Sequence, residues 1–494
     1  MPSNHRRSLS EPTPELDPRA SSDEHADGCH WHHPTNSGGP KEWTDRKKWT
    51  HVLLVAALTM ATPLGSTIHT PALAQIADAF AVQRSTASLT VQAYVLGFSI
   101  APLLFLPLSK IYGRLPIYNF ANVAFLLGHA GCAIAPNFPL LLICRFLAGC
   151  GGACAITQGS GTIADIIQKE KRGRAVALMA FGTVWAPTLG PVIGGRVAEA
   201  YGWRGCFWVL VCVAACNAVI TFILMDETST THTMHSYQAL PLEELRSPLM
   251  LTIAEDVDSK IQQYAKPANG LSRFALDAVL GPFRLMRHPL FSTIALLSAL
   301  FYSIQIYLYV DVPATYRSEY SFTPSETGLA FMGIGVGMTV GLLAFGIFSD
   351  RIMIALAGDG ERMPEHRLPL MLVSSVFVSA GLLVFSLTSR PSVHWMFPVF
   401  GNALTGAGLY TVSMGAALYL MDLCPARAAD SATLLSVVRF PTGAIVSASA
   451  VRLVQLIGRS TMEIVFAVLA IQAIPIVFLL YRHGARISMK HRLT

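Results

Sequence analysis

Twelve apolar runs, spaced almost evenly, limit most strongly what this chain can fold into. Each run is long enough to cross about 30 Å of hydrocarbon as a helix, which takes about 20 residues. The runs lie at residues 51–74, 88–108, 116–135, 139–165, 175–198, 205–225, 290–312, 326–348, 368–388, 394–421, 431–457 and 461–481. They predict an all-α, multi-pass membrane protein with twelve transmembrane helices.

Composition argues against the common soluble classes. Charged residues make up 13% of the 494 residues and hydrophobic residues 52%, whereas a soluble protein has roughly 25% charged residues. A soluble protein of this length would lack the polar residues needed to cover its surface. A cytosolic enzyme, a disulfide-linked secreted module and a disordered chain are therefore disfavoured. The nine cysteines have neither zinc-site nor disulfide spacing, which favours a role in helix packing.

The basic residues indicate membrane topology. The net charge of +6 comes from Lys and Arg in short loops and tails, with no basic stripe that would favour nucleic-acid binding. These residues concentrate before span 1, after spans 2, 4 and 8, and after span 12. Because basic residues are retained on the cytosolic side, both termini are predicted to be cytosolic.

Polar segments divide the chain into five regions. We predict a disordered cytosolic tail at 1–50, a six-helix bundle at 51–225, a cytosolic linker at 226–289, a second six-helix bundle at 290–481 and a cytosolic tail at 482–494. The first tail lacks the features of a signal peptide, and its Cys29–His33 run has no partner cluster that would make it a metal site. Residues 273–287 fit either an interfacial helix or a plain connector.

The two halves contain matching segments. Leu106–Lys110 ends span 2, Gly346–Asp350 ends span 8, and a basic loop follows each. Such repeats indicate a transporter whose site lies in a central cavity between two bundles. The chain has no glycine-rich phosphate loop and no nucleophile–base set. We therefore expect neither an enzyme nor a bound cofactor.

Five segments, in chain order, resemble motifs of one transport family. They are Pro107–Pro116, Arg145–Gly149, Gly182 with Gly190–Gly195, Trp203–Arg204 and Pro364–Pro369. The first resembles the loop signature of the major facilitator superfamily, the second its fourth-span arginine motif and the third its fifth-span antiporter motif. Over about residues 50–480 the chain resembles the fungal twelve-span drug:proton antiporters. The resemblance implies proton-coupled export of toxins, drugs or endogenous metabolites by alternating access.

Rare charges in or beside the spans are candidates for proton coupling. A charge in an apolar span costs about 2.5–3.5 kcal/mol, so Arg145 either faces the cavity or is held by neighbouring carbonyls. In the loop motif, Leu106 and Lys110 replace the family's usual glycine and acid, which leaves Asp165 as the expected partner of Arg114. In the second half an acidic and basic pair is retained. The candidates are Arg114, Arg145, Asp165, Asp311, Asp350 and Arg351.

Span 5 is rich in glycine and proline. Glycine lets a second helix approach closely, and Pro187 and Pro191 interrupt the helix hydrogen bonds, which predicts a kinked packing helix. The family resemblance adds that this helix seals the cavity against proton leak. The gating candidates are Gly182, Gly190, Pro191, Gly194 and Gly195.

Polar side chains recur on one face of spans 1 and 7. The two sets are Thr62, Ser66 and His69, and Tyr302, Gln305 and Tyr309. They fit either a wall for a partly apolar ligand or hydrogen bonds between helices. His69 also titrates in the range that proton coupling needs. The substrate-binding candidates are His69, Gln92, Trp185, Tyr302, Gln305, Tyr309, Asn402 and Arg439, with Tyr410 as a weaker one.

Three functional alternatives stay open. Arg145 and Arg439 together would suit a carboxylate, so the exported compound is alternatively an organic acid. The second alternative is an uptake carrier, although the span-5 motif argues against it. The third is a non-transporting nutrient sensor, although the tails contain no output module. We expect a monomer in the cell membrane whose partners are a small organic substrate, protons and the lipid bilayer.

Overall fold

The structure is a computed structural model that describes residue 40 and residues 43–167, 172–229, 280–357, 363–424 and 427–490. Every regular element in these ranges is helical. Most of the predicted tail at 1–50, with its Cys29–His33 run, lies outside the described residues, as do most of the predicted linker and residues 491–494. Of the segment that fits an interfacial helix or a connector, residues 280–287 are described, and 280–285 of them are helical.

Six long helices form the first half. They are α1 (Asp45–Thr67), α2 (Leu89–Tyr112), α3 (Arg114–Ile134), α4 (Phe138–Ile166), α5 (172–201) and α6 (203–224). Short helical segments at Thr70–Ala72, Leu73–Ala79 and Arg84–Ala87 connect α1 to α2.

Six more long helices form the second half. They are α7 (Pro289–Glu319), α8 (Met332–Ala357), α9 (Leu368–Thr388), α10 (Met396–Leu423), α11 (Ala428–Ile457) and α12 (Arg459–Lys490). Two short segments, Pro324–Ala330 and Pro364–Arg367, precede α8 and α9. Several helices extend past the predicted spans: α1 starts within the predicted tail and α12 continues into the last one. Hydropathy predicts the apolar length of a helix, whereas the hydrogen-bonded helix continues through its charged ends.

A glycine separates α5 from α6. Eleven helical stretches of the described chain are long and apolar enough to cross a membrane, and one of them, Gly173–Leu224, has 52 residues. That stretch would be about 78 Å long if it were straight, more than twice the hydrocarbon thickness. Gly202 interrupts it with a φ of +72°, a conformation that glycine adopts without a steric penalty. The stretch therefore provides two of the twelve predicted spans.

Successive helices run between two ends of the bundle. We call the end where α1 begins and α2 ends the basic end, since Lys47, Arg114 and Arg367 lie there, and the opposite one the far end. The side chain of Arg204, just after Gly202, donates to the carbonyl oxygen of Ala135 at the far end. Glu227, just after α6, accepts from Arg114 at the basic end. α6 therefore returns to the end from which α5 departs.

The two halves repeat one packing plan. In the first half α1 packs on α5, α2 on α4, and α3 on both α4 and α6. In the second half the equivalent pairs are α7 with α11, α8 with α10, and α9 with both α10 and α12. The halves meet along two seams, α2 with α11 and α5 with α8. The weak sequence repeat thus corresponds to a structural repeat, and the candidate site lies beside these seams.

Candidate functional site

Arg145 lies on α4 with a fully buried side chain, and its guanidinium is held by backbone carbonyls. Its Nε donates to the carbonyl oxygen of Thr90 (3.0 Å) and its Nη1 to that of Gly65 (2.9 Å). The guanidinium carbon lies 4.2 Å from the ring centre of Tyr94. Carbonyl dipoles and an aromatic face both stabilise a buried cation. Contacts from α1 and α2 therefore fix this charge beside the α2–α11 seam.

Several buried nitrogen atoms around Arg145 have no hydrogen-bond partner among the described residues. They are Nη2 of Arg145, Nδ1 of His69 and both ring nitrogens of His129. His69 uses its Nε2 to bond the hydroxyl of Thr90 at 3.0 Å. A buried polar group without a partner costs about 1–3 kcal/mol, so this region favours water or a ligand with acceptor atoms.

Arg439 is the corresponding cation of the second half. It lies on α11, and its guanidinium carbon is 4.8 Å from the ring centre of Phe440 and 5.2 Å from that of Tyr302 on α7. Its Nε is buried and has no hydrogen-bond partner among the described residues. Like Arg145, it combines aromatic contacts with an unused donor.

A row of aromatic rings connects the two arginines across the α2–α11 seam. The ring centres of Tyr94 and Phe98 are 5.1 Å apart, and those of Phe98 and Phe440 are 5.2 Å apart. Phe440 in turn lies 5.2 Å from Tyr302. Edge-to-face pairs of this kind bury large apolar areas and keep rings in fixed positions. The seam is therefore a buried apolar contact between the halves, with a guanidinium at each side.

The other predicted substrate residues fall into two groups. Gln92, Trp185, Asn402 and Tyr410 each have at least one buried polar atom without a partner among the described residues. In contrast, Gln305 donates to the hydroxyl of Tyr309 at 2.7 Å, so that pair is already satisfied.

Of the span-1 residues, Thr62 forms a hydrogen bond between helices, whereas Ser66 bonds only within its own helix. Thr62 donates to the carbonyl oxygen of Gly152 on α4 at 2.7 Å, and Ser66 donates to that of Pro63 at 2.7 Å. His69, the third residue of that face, is fully buried beside Phe207.

Equivalent ion pairs lie at the basic end of each half. The expected partner of Arg114 is confirmed: its Nε lies 2.7 Å from the carboxylate of Asp165. In the second half, Arg367 contacts Asp422 at 2.6 Å and Asp350 at 3.4 Å. The Arg114–Asp165 and Arg367–Asp422 pairs each join the start of one helix to the end of the next, α3 to α4 and α9 to α10.

Two residues of the loop motifs contribute less to these pairs. Arg351 is exposed, and the described contacts of Asp350 are with Arg367. The side chain of Lys110 lies outside the described part of the structure.

The segment after α6 is fastened to the first half. The carboxylate of Glu227 accepts hydrogen bonds from the backbone N–H groups of Arg114 and Leu115, both at 3.0 Å. An anion at the start of a helix is stabilised by the unpaired N–H groups and the helix dipole. Asp226 forms a 2.6 Å ion pair with Lys47 of α1. The start of the predicted linker thus holds α1 and α3 together.

The predicted gating glycines line two contacts of α5. Gly182, Gly190 and Gly194 face α1 and its extension, where a Cβ on Gly194 would overlap the carbonyl group of Ile68. Gly195 faces the backbone of Pro324, and Gly328 faces that of Pro191. α5 therefore contacts α1 on one side and the second half on the other.

Hydrogen bonds between the two halves lie toward the far end. Gln92 donates to Ser447 and Gln455 donates to Ser85, both at 3.3 Å. The backbone N–H of Ser325 donates to Glu199 at 3.1 Å. These bonds, together with the α5 glycine contacts, keep the halves together at that end.

A cavity of ≈ 170 Å³ lies between the halves at the far end. Asp311, a predicted proton-coupling residue, lines it, and its carboxylate is 3.3 Å from Nε of Arg459. Among the other cavity residues are Thr70, Arg84 and Gln455. The structure thus separates Asp311 from the arginine and aromatic site of the α2–α11 seam.

Sequence reasoning missed His129, Asp422 and Glu227 of the contacts above, and also Glu463 of α12, whose side chain interacts with Asp311. His129 and Glu463 each lie inside a predicted span, where a titratable side chain is itself a signal. Asp422 lies at the end of its span, as Asp165 does, so the internal repeat could have predicted that Asp422 also pairs with an arginine. Glu227 carried no comparable signal, because its role depends on the return of α6 to the start of α3.

Comparison with known proteins supports a transport fold. The family model described as Major Facilitator Superfamily matches residues 55–448. "MFS-type transporter atr4" of Stereocaulon alpinum is 31% identical, over 94% of this chain and 82% of the relative. "MFS-type transporter tndD" of Aspergillus flavipes is 33% identical, over 92% of this chain and 84% of the relative.

Solved structures agree on the fold. The xylose transporter XylE from E. coli, in a partially occluded inward-open conformation, superposes with a TM-score of 0.64 at 14% identity. The match covers 89% of this chain and 98% of that one. A structure of a D-xylose–proton symporter gives a TM-score of 0.64 at 13% identity, covering 87% of this chain and 97% of that one.

Proposed function

The chain belongs to the Major Facilitator Superfamily and is a multi-pass membrane transporter, not an enzyme; from this we propose that it exports small organic compounds while protons move inward. Alternating access, in which the two halves open in turn toward each side, is the mechanism that such repeats support. The exported compounds would be toxins, drugs or endogenous secondary metabolites.

One observation carries the proposal: the aromatic row between Arg145 and Arg439 at the junction of the halves. The rings of Tyr94, Phe98 and Phe440 suit a partly apolar compound. The unused donors of both arginines suit oxygen acceptors on that compound. A site between two halves changes shape when they move, which is what transport needs.

The far-end contacts support a state that is closed on that side. Gln92–Ser447 and Gln455–Ser85 join the halves there. If the basic end is cytosolic, as the distribution of Lys and Arg predicts, this state would receive its cargo from the cytosol. Breaking these bonds would then release it outside. In this proposal the protein is a monomer in the cell membrane with both termini cytosolic.

Proton coupling is assigned to the charged residues near the cavity and the basic end. Asp311 would exchange protons at the far end, and Arg145 would respond electrostatically. The charged residues of the basic end would respond as the halves move; they are Arg114 and Asp165, which pair within the first half, and Asp350 and Arg351 of the second half. Inward movement of one proton releases about 2.3 kcal/mol per 100 mV and about 1.4 kcal/mol per unit of pH difference. One proton per cycle would therefore sustain export against a concentration gradient.

Comparison of culture media tests the direction of transport. Cells that express the chain and cells that express Arg145→Ala are grown in parallel, and organic compounds in medium and cells are measured by mass spectrometry. We expect compounds that leave only the wild-type cells, and a protonophore should stop their export. Net accumulation of compounds inside wild-type cells would contradict export. It would favour uptake, in which compounds and protons move inward together.

A second candidate substrate class is an organic acid. Arg145 and Arg439 each have a buried nitrogen with no hydrogen-bond partner among the described residues, and carboxylates form strong bonds with guanidinium groups. Arg439→Gln should then reduce export of carboxylates at least tenfold and leave export of neutral compounds unchanged. Equal loss of both classes would refute a carboxylate site.

A further inference from the structure

Glu463 on α12 is a buried acid that the proposed function has not used. Its side chain has no exposed surface, and neither carboxyl oxygen accepts a hydrogen bond from a described residue. An ionised carboxylate in such surroundings would be costly. A carboxyl group that carries a proton avoids this cost.

Helix packing brings Glu463 to Asp311. α7 and α12 run in opposite directions, and the rings of Tyr307 and Phe466 meet with their centres 5.1 Å apart. Asp311 lies one turn toward the far end from Tyr307, and Glu463 lies about one turn toward that end from Phe466. The carboxyl group of Glu463 accordingly faces Asp311.

The surroundings distinguish the two carboxyl groups. Asp311 lies 3.3 Å from Arg459 and accepts a hydrogen bond from Thr315 at 3.2 Å, so its carboxyl oxygens already have two donors. Glu463 forms no ion pair among the described residues, and the hydroxyl of Ser386 beside it donates to the carbonyl oxygen of Ser460. Two ionised carboxylates in contact repel each other, whereas one protonated carboxyl group can donate to the other. This favours a proton on Glu463 that points toward Asp311.

Other groups complete the electrostatic surroundings. Tyr307 of α7 presents a buried hydroxyl without a partner among the described residues, and Ser386 of α9 lies against Glu463. Arg459 on α12 itself also contacts Glu319 at 3.6 Å. Farther out, Arg84 and Arg317 line the cavity. Their positive charge favours release of a proton that reaches the cavity side.

Asp311 connects Glu463 to water. It lines the ≈ 170 Å³ cavity between the halves, whereas Glu463 is not among the lining residues. We propose that the proton exchanged during transport is held on Glu463 and passes through Asp311 to this cavity. The proton moves from the Glu463 carboxyl to the Asp311 carboxylate and then to water, and it returns by the reverse path. This assignment rests on the proposed proton-driven export.

Infrared spectroscopy of purified protein in lipid tests where the proton resides. A protonated carboxyl group has a carbonyl stretch that an ionised one lacks. We expect a pH-dependent band of this kind in the wild type, its loss in Glu463→Gln, and a changed frequency in Asp311→Asn. Glu319→Gln, which changes another acid beside Arg459, is the control and should keep the band. A band that survives unchanged in well-folded Glu463→Gln would overturn the proposal.

Export assays test whether this proton is the coupled one. The probe is the set of metabolites that wild-type cells release, measured with and without a pH gradient. In Glu463→Gln and Asp311→Asn, export should no longer respond to the gradient, while Glu319→Gln responds as the wild type does. Gradient-dependent export by Glu463→Gln would overturn the inference. Wild-type export that ignores the gradient, with the infrared band present, would instead refute the proposed function.

Discussion

Replacement of Gly194 by alanine should separate α5 from α1. The added Cβ would lie 2.7 Å from the carbonyl carbon of Ile68 and closer still to its oxygen, whereas unstrained contacts are about 3.5–4.0 Å. The neighbour is backbone, so no side-chain rotation relieves the overlap. α5 must therefore move away by about 1.5–2 Å, and a gap of that size removes at least about half of the dispersion energy of the adjacent contacts.

Two opposing effects determine how much Gly194→Ala changes the stability of the protein. Overpacking of this kind costs about 1–3 kcal/mol, and alanine in a helix gains about 0.8–1 kcal/mol over glycine. Because the overlap is with backbone, the cost lies at the upper end of its range, and we expect a net loss of stability of about 2 kcal/mol in Gly194→Ala. The export rate should also fall, since the α5 seam is displaced. Gly346→Ala is the matched control: its Cβ would meet no atom within 4 Å, so only the helix gain remains.

Thermal unfolding in detergent and the export assay measure both variants. Gly194→Ala should unfold at a lower temperature than the wild type, and Gly346→Ala at the same or a higher one. If Gly194→Ala were as stable and as active as the wild type, or if both variants were equally damaged, close packing of α5 on α1 would not be what the glycine provides.

Three further predictions concern charged groups. Arg114→Ala removes the 2.7 Å pair with Asp165 and should lower the export rate without loss of surface expression; export at the wild-type rate would contradict a role of this pair in transport. Glu227→Ala removes two hydrogen bonds from the start of α3 and should lower stability by about 0.5–2 kcal/mol, which an unchanged unfolding temperature would disprove. Arg145→Lys keeps the charge but cannot reproduce both carbonyl bonds, so export should fall at least tenfold; full activity would show that charge alone suffices.

The sequence was most informative about features that depend on single residues or on the regular spacing of apolar runs. Apolar length predicted the twelve spans, and the position of an acid at the end of span 4 predicted the partner of Arg114. The same internal repeat places Asp165 and Asp422 at equivalent positions of the two halves. These features depend on one helix, or on two helices adjacent in the chain.

Features that depend on distant helices were not predictable in this way. The row from Tyr94 to Phe440 joins α2 to α11, and nothing in either segment specifies the other. The contact between Asp311 and Glu463 requires the register of α7 on α12. The choice between cavity wall and helix contact for Thr62 also required the structure, because a hydroxyl group serves both equally well.

Transport by purified protein in lipid vesicles tests the central claim most directly. The vesicles are surrounded by the metabolites that wild-type cells release, and a pH difference is imposed in either direction. Proton-driven export predicts that compounds accumulate in vesicles whose interior is acidic, because protons leave as compounds enter, and that a protonophore prevents this. Accumulation when the exterior is acidic would indicate symport, and accumulation independent of the gradient would indicate uncoupled transport; either result would contradict the account.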